Sequence, residues 1–347
     1  MLDVRVARDV THHYIDPLAQ VWLGAARRIG LRVKRTRDAY AATDGNGTLA
    51  IASDDALDAD DSLAQMIFHE LCHSLVEGEE SFAKADWGMD NTGPDHDWRE
   101  HACLRVQYVL TGRHGLRAVF APTTDFRAFW NTLSGDVLAD RTDPSVQAAI
   151  AGIRRAGLPP WAPALGEALS ATARIAAEAA KFSALVDRPL WLAVEAVPAL
   201  HPTGLPAGGA NETCGTCAWR HEQRGAVRCR QADAKIDDSW GACERYEPGL
   251  DCQTCGACCR AAYHSVEVSR RDPFVKAQPS FVVDRGHYIE VRRDRDRCAA
   301  LHGGVVEPQT TTRYHCVIYD DRPKTCRDFT LGSVNCLTAR RRVGLSL

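Results

Sequence analysis

Residues 62–80 read SLAQMIFHELCHSLVEGEE, and this stretch decides how the first half of the 347-residue chain is built. Its apolar residues recur every three to four positions, Asp60 or Asp61 stands in front as N-cap, and Gly78 stands where a helix would stop. The segment is therefore expected to be helical. Inside it lies His69-Glu70-Leu71-Cys72-His73. Residues four apart on a helix are about 40° apart around the axis, so His69 and His73 project side by side and their imidazoles can take two corners of one metal tetrahedron. Glu70 lies about 60° from His73, close to such a metal without being a ligand. There it can accept a proton from a zinc-activated water and pass it to a leaving amine.

Outward from this helix the pattern is mixed. DPLAQVWLGAARRIG (residues 16–30) opens on Asp and Pro and sets Leu18, Val21, Trp22, Ala25 and Ile29 on one face, as an amphipathic helix does. LRVKRT (31–36) and TLAIAS (48–53) read as two short strands, with a turn at Asp44-Gly45-Asn46-Gly47. Beyond a polar stretch at 86–97, WREHACLRVQYVLT (98–111) reads as another helix, and an Ala-rich region broken by Pro159, Pro160 and Pro163 follows from about 144 to 200. The expected class is α+β: a mainly helical N-terminal domain with a small sheet, followed by irregular Cys-rich modules. The expected borders are 1–140 for the HExxH domain, 141–200 for a helical extension, 201–213 for a Pro- and Gly-rich linker, 214–249 for a four-Cys module and 250–347 for a denser cysteine domain.

The first part resembles the zincin metallopeptidases, and among them the gluzincins, which carry HExxH on one helix and a Glu ligand on a following helix. The resemblance covers about residues 15–135 and rests mainly on the one motif. It implies a catalytic zinc held by His69, His73 and Glu100, which lies 27 residues after His73, with Glu70 as general base and a peptide or protein as substrate. His101 and His96 compete for the third position. The metzincin pattern requires His at position 79, where this chain has Glu79. The strand TLAIAS, beside the helix, is expected to pair with an extended substrate. Cys72 and Cys103 read as buried small hydrophobes, His12-His13 as an accidental pair, and the Asp54 to Asp61 run as a solvated loop without the ligand spacing of an EF-hand.

The 14 cysteines are unevenly spread, two in residues 1–213 and twelve in 214–347. The N-terminus has no apolar core of signal-peptide length and carries Asp3 and Asp9 where one would lie, so a reducing cytoplasm is expected and metal ligation is favoured over disulfides. Cys214-x2-Cys217 with Cys229 and Cys243 makes one four-thiolate set. Cys252-x2-Cys255-x2-Cys258-Cys259, then Cys298, Cys316, Cys326 and Cys336, makes a second group of eight, enough for two four-ligand sites. Here the chain resembles the CxxCxxCC family of zinc- or iron-chelating proteins, through CQTCGACCR, Cys298, CVIYDDRPKTCRDF and Cys336, over about residues 250–340. That resemblance implies zinc or an iron-sulfur cluster. Arg322 and Arg327 flank the cysteines, and Arg292, Arg293, Arg295 and Arg297 alternate with Asp294 and Asp296, a self-neutralised stretch.

Forty-two Lys and Arg against 45 Asp and Glu give a net charge of −3, so no basic field draws nucleic acid, and no apolar run is long enough to span a membrane. Oligomeric state is left open. The expected activity is zinc-dependent hydrolysis of peptide bonds beside a thiolate metal domain. The alternative is a non-hydrolytic metal-binding or redox protein whose HExxH domain serves as scaffold or peptide-recognition module. A peptide-modifying enzyme using an iron centre is a third possibility.

Overall fold

Asp16 caps the first helix: its Oδ1 accepts from the backbone N–H of Leu18 at 2.9 Å and of Ala19 at 3.1 Å, and helix α1 (Pro17–Ile29) follows and stops at Gly30, φ 110°. The computed structural model describes residues 11–89, 97–122, 126–209, 211–304, 306–307 and 310–347. The class is α+β, with helices beside small sheets. The chain divides into two units, residues 1–134 with 155–196, and residues 135–154 with 197–347.

In the first unit, β1 (Arg32–Thr36), β2 (Ala41–Thr43) and β3 (Thr48–Ala52) form one sheet in the order β1-β3-β2. β1 runs parallel to β3, with Arg32 opposite Thr48, and β2 runs antiparallel to it. The Asp44–Gly47 turn thus joins β2 to β3, and a third strand stands where sequence suggested two. β3 is the central strand with a neighbour on each edge, so TLAIAS cannot pair with a substrate; a peptide strand can add only at β1 or β2. α2 (Leu63–Glu77) carries the HExxH motif. Its N-cap is Ser62, whose hydroxyl accepts from Gln65 N–H at 3.1 Å, in place of the expected Asp60 or Asp61. Gly78 ends it, and Arg155 donates to the Leu75 and Val76 carbonyls left open there. α3 (Asp97–Gly112) packs along α2, while α4 (Arg127–Thr132), the end of α5 (Pro144–Arg155) and α6 (Ala164–Ser183) complete the unit.

The core of this unit is aromatic. Trp22, Phe68 and Phe120, all fully buried, meet pairwise with ring centroids 4.9 to 5.3 Å apart, edge-on or tilted. Each such pair adds about 0.5–1.5 kcal/mol beyond the area it buries. The indole N–H groups are satisfied as well: Trp22 donates to Thr172 on α6, and Trp161 donates to Ser74 on α2. α2 is therefore fixed along its length by large rigid side chains.

The second unit contains little regular structure. β4 (Arg220–Gln223), β5 (Ala226–Cys229) and β6 (Ala234–Lys235) form an antiparallel meander; α7 (Cys252–Cys255), β7 (Glu267–Val268), α8 (Phe274–Ala277), β8 (Val282–Asp284) and β9 (Ile289–Val291) follow, with sheet order β7-β9-β8. Two-residue ladders, α9 (Lys324–Arg327) and α10 (Val334–Arg342) complete it. Its apolar clusters are small, and cysteines sit in them: Cys298 and Cys316 pack on one around Phe274, and Cys255 and Cys258 share another with Ala339. Residues 214–249 and 250–347 share a core, since Trp219 packs with Cys336 and Leu337. A buried network ties them further: Glu247 accepts from Trp219, Ser346 and Arg340. Residues 201–213 are no free linker: Gly208 N–H donates to Ala242, Glu244 N–H to Pro206, and Ala207 bridges Cys243. No helix among the described residues is long and apolar enough to cross a membrane.

Candidate metal centres

α2 and α3 bring His69, His73, Glu100 and Cys103 together, with their ligand atoms all within 4.8 Å of one another. His69 Nε2 and His73 Nε2 stand 3.0 Å apart; Glu100 Oε1 is 3.4 Å from the first and Oε2 is 3.2 Å from the second. Ligands held tetrahedrally by zinc at about 2.0–2.1 Å stand about 3.3 Å from one another, so these spacings fit one ion among two imidazoles and a carboxylate. Two nitrogen lone pairs facing at 3.0 Å also require a cation or a proton between them. His101 turns away and stacks on Phe129, centroids 3.8 Å apart, and His12 and His13 are exposed and outside the group. His96 lies outside the described residues.

The tautomer of His69 follows from hydrogen bonding. The Gln107 amide nitrogen donates to the Phe120 carbonyl, which turns its Oε1 toward His69 Nδ1 at 3.0 Å. An amide oxygen only accepts, so Nδ1 carries the proton and Nε2 presents its lone pair to the Glu100 side. Burial and the neighbouring His69 push His73 down to about 3, which keeps its ring neutral at physiological pH. Burial opposes a charge on His69, but Cys103 and Glu100 beside it raise its pKa, so the metal-free pair holds one proton. Burial raises the Glu100 carboxyl and raises Cys103 strongly, leaving the latter a thiol. Cys103 and Cys72 are buried as expected, yet Cys103 is no bystander: its Sγ lies 3.9 Å from His69 Nδ1.

Glu70 is buried and not free to swing, because its Oε2 accepts from the Trp87 indole N–H at 2.7 Å. Trp87 reaches it from a left-handed turn, with φ 46° at Asp86 and 57° at Trp87, a conformation costing on the order of 1 kcal/mol per non-glycine residue. Thr43 at the end of β2 holds that turn: its N–H donates to Asp86 Oδ1 and its hydroxyl accepts from Trp87 N–H.

In the second unit, Cys214, Cys217, Cys229 and Cys243 line one small cleft. Burial, then the facing Cys243, Cys229 and Cys217, push the Cys214 thiol up to about 11. The eight later cysteines resolve into two groups. Cys252 is raised to about 11 by burial and by Cys258, Cys255 and Cys336, and α10, which bears Cys336, packs on the turn that holds Cys258. Cys326 is raised to about 12 by burial and by Cys298 and Cys316, while Cys259 faces Cys298 and Cys326. The adjacent Cys258 and Cys259 share a side-chain hydrogen bond, and Cys258 also acts on Cys326, so the two groups meet at this pair. Gly256 makes the turn between them and α7 possible: φ is 57°, and a Cβ there would meet the Tyr314 ring at 2.9 Å. Each group has an arginine beside it, Arg340 at Cys255 and Arg322 at Cys316 and Cys326. Arg327 instead bonds the Arg322 carbonyl. Arg292, Arg293 and Arg297 donate to backbone carbonyls, so their charges are not neutralised by the alternating aspartates alone.

Residues 251–340 match the CxxCxxCC family model, described as "Putative zinc- or iron-chelating domain". The match takes in all eight cysteines of the second group and about a quarter of the chain. No curated protein and no solved structure matches the chain. The HExxH helix and Cys214 to Cys243 lie outside the matched residues. Gln107, Trp87 and His201, whose Nε2 is 3.3 Å from Cys214 Sγ, were not expected from sequence. For the first of these a signal exists: Glu100, Cys103 and Gln107 are spaced i, i+3, i+7, one stripe of α3.

Proposed function

We propose that the first unit is a zinc-dependent hydrolase of peptide bonds, similar in its site to the gluzincins, and that the second unit holds zinc or iron through cysteine thiolates. The observation that carries the first part is the convergence of His69 Nε2, His73 Nε2 and both Glu100 oxygens on one point, with Glu70 beside it. Zinc in that position supplies a Lewis acid that acidifies water and polarises a carbonyl. His69 and His73 bind as neutral imidazoles, and Gln107 keeps the His69 proton on Nδ1. Glu70 has Oε2 committed to Trp87, which leaves Oε1 to take the proton of the attacking water and return it to the leaving amine. The Trp87 contact aims that carboxylate.

A second reading is favoured by the match at 251–340, which speaks only of chelation: a non-hydrolytic metal-binding or redox protein, with the HExxH unit as scaffold or peptide-recognition module. Glu70→Gln separates the two. Under the hydrolase reading the zinc-loaded variant keeps its metal and loses cleavage of a fluorogenic peptide library by about 10²–10⁴-fold. A zinc-loaded wild type that cleaves no member of the library overturns that reading and leaves the second.

A further inference from the structure

His201 belongs to the stretch that sequence marks as linker, yet it is 5% exposed. Its segment is stitched into a tight turn, with His201 N–H bonded to Leu205 and Gly204 N–H bonded back to His201. Trp240 stands edge-on to the imidazole, centroids 5.7 Å apart, and fixes the ring plane. One ring nitrogen, Nδ1, meets Thr203 Oγ1 at 2.7 Å and accepts from the Thr203 backbone N–H at 3.1 Å. A backbone N–H can only donate, so Nδ1 is unprotonated and the proton of the neutral ring is on Nε2. Nε2 lies 3.3 Å from Cys214 Sγ, in the cleft that Cys217, Cys229 and Cys243 complete. The Gly241 carbonyl also accepts from the ring, and with Nδ1 unprotonated it shares the Nε2 proton with the Cys214 sulfur.

We propose that Cys214, Cys217, Cys229 and Cys243 form a metal centre of their own for a thiophilic divalent cation of the zinc class, and that His201 is its positioning residue, donating Nε2–H to the Cys214 sulfur. Four thiolates on a divalent ion leave a net charge of −2, and an N–H directed at one sulfur takes up part of it. The protonated Nε2 makes His201 a donor and not a fifth ligand. Arg245 is beside Cys243 and contributes in the same sense. This centre goes beyond the chelation read from residues 251–340, with which it shares no cysteine.

The test uses the full chain loaded with zinc, measuring zinc per chain, the rate of zinc transfer to a chromogenic chelator, and alkylation of Cys214 read by mass spectrometry. Cys217→Ser with Cys243→Ser is expected to remove one equivalent and to leave the zinc held by residues 251–340 in place. His201→Phe is expected to keep the full stoichiometry while that equivalent leaves about 10- to 100-fold faster and Cys214 becomes alkylated. His201→Gln, whose amide restores a donor, is expected to recover most of the loss. Unchanged zinc content in the double cysteine variant overturns the centre. Loss of the equivalent in both His201 variants, with near-UV circular dichroism unchanged, overturns the donor role in favour of ligation. Wild-type release from His201→Phe also overturns the donor role.

Discussion

The two units present their candidate metal-binding groups in opposite ways. In the first, the groups come from two long helices locked by an aromatic core, and the Nε2 atoms of His69 and His73 are already 3.0 Å apart. In the second, the cysteines sit on turns, short helices and two- to four-residue strands. The difference is one of cause. Apolar burial builds the first site, whereas in the second the thiols are themselves a large part of the small clusters that would have to hold them. A domain that cannot bury enough apolar surface needs a metal to complete its fold.

Removal of metal should therefore separate the units most sharply. Structural zinc contributes roughly 10–16 kcal/mol per site in small thiolate domains, as much as the whole stability of an ordinary domain. Treatment with a strong chelator, followed by hydrogen exchange read by peptide, is expected to strip protection from residues 197–347 while α1, α2 and α3 keep theirs. Equal loss in both units would break the comparison, because it would mean that the HExxH unit also depends on metal to fold.

The pH response should differ nearly as much. Cys214 and Cys252, pushed up to about 11, and Cys326, up to about 12, are protonated at neutral pH without metal. Ligation requires the thiolate, so each uptake releases protons and falling pH opposes it. Below the thiol pKa values, apparent affinity at a four-thiol centre falls by up to about 10⁴-fold per pH unit. In the HExxH site His73 is already neutral above about pH 3, and the imidazole pair has only one proton to lose. Near neutral pH its affinity is expected to fall only about tenfold per unit. Zinc competition titrations between pH 6 and 8 measure both slopes, and equal slopes would sink the distinction.

Much of the first unit was legible because its signals are local. Asp16-Pro17, the 3.6-residue apolar period and Gly78 mark helices without reference to anything distant, and the HExxH spacing follows from helix geometry alone. Glu100 could be named by spacing but not separated from His101, because that choice depends on the phase at which α3 meets α2. β2 escaped notice as three unremarkable residues, Ala41-Ala42-Thr43, that become a strand only by pairing with β3. Ser62 displaced two aspartates as N-cap because the helix starts one or two residues later than the acid run suggests. In the second unit the ligand types were plain from composition. Their grouping was not, because Cys336 reaches Cys255 and Cys258 through the placement of α10, which no local pattern encodes. His201 was hidden by Pro and Gly neighbours that read as linker and in fact form the turn that holds it.

Gln107 supplies the finest probe of the first unit's preorganisation, since its side-chain oxygen meets His69 on the nitrogen that faces away from Glu100. It works as a bridge, its nitrogen on the Phe120 carbonyl and its oxygen on His69 Nδ1. Gln107→Leu keeps the volume and removes both bonds, leaving a buried imidazole N–H and a backbone carbonyl without their partner. Partners of this kind typically account for 10- to 100-fold in metal affinity, and an unpaired buried group costs about 1–3 kcal/mol in stability. The expected result is zinc bound 10- to 100-fold more weakly at the HExxH site, a lower melting temperature for the first unit, and thiolate-bound zinc unchanged. Gln107→Glu should act differently, because its carboxylate still accepts from Nδ1 while losing the bond to Phe120; zinc affinity should then stay within a few-fold of wild type. If Leu and Glu weaken zinc equally, the hydrogen bond to His69 is not what prepares the site, and the aromatic core around α2 and α3 alone must account for it.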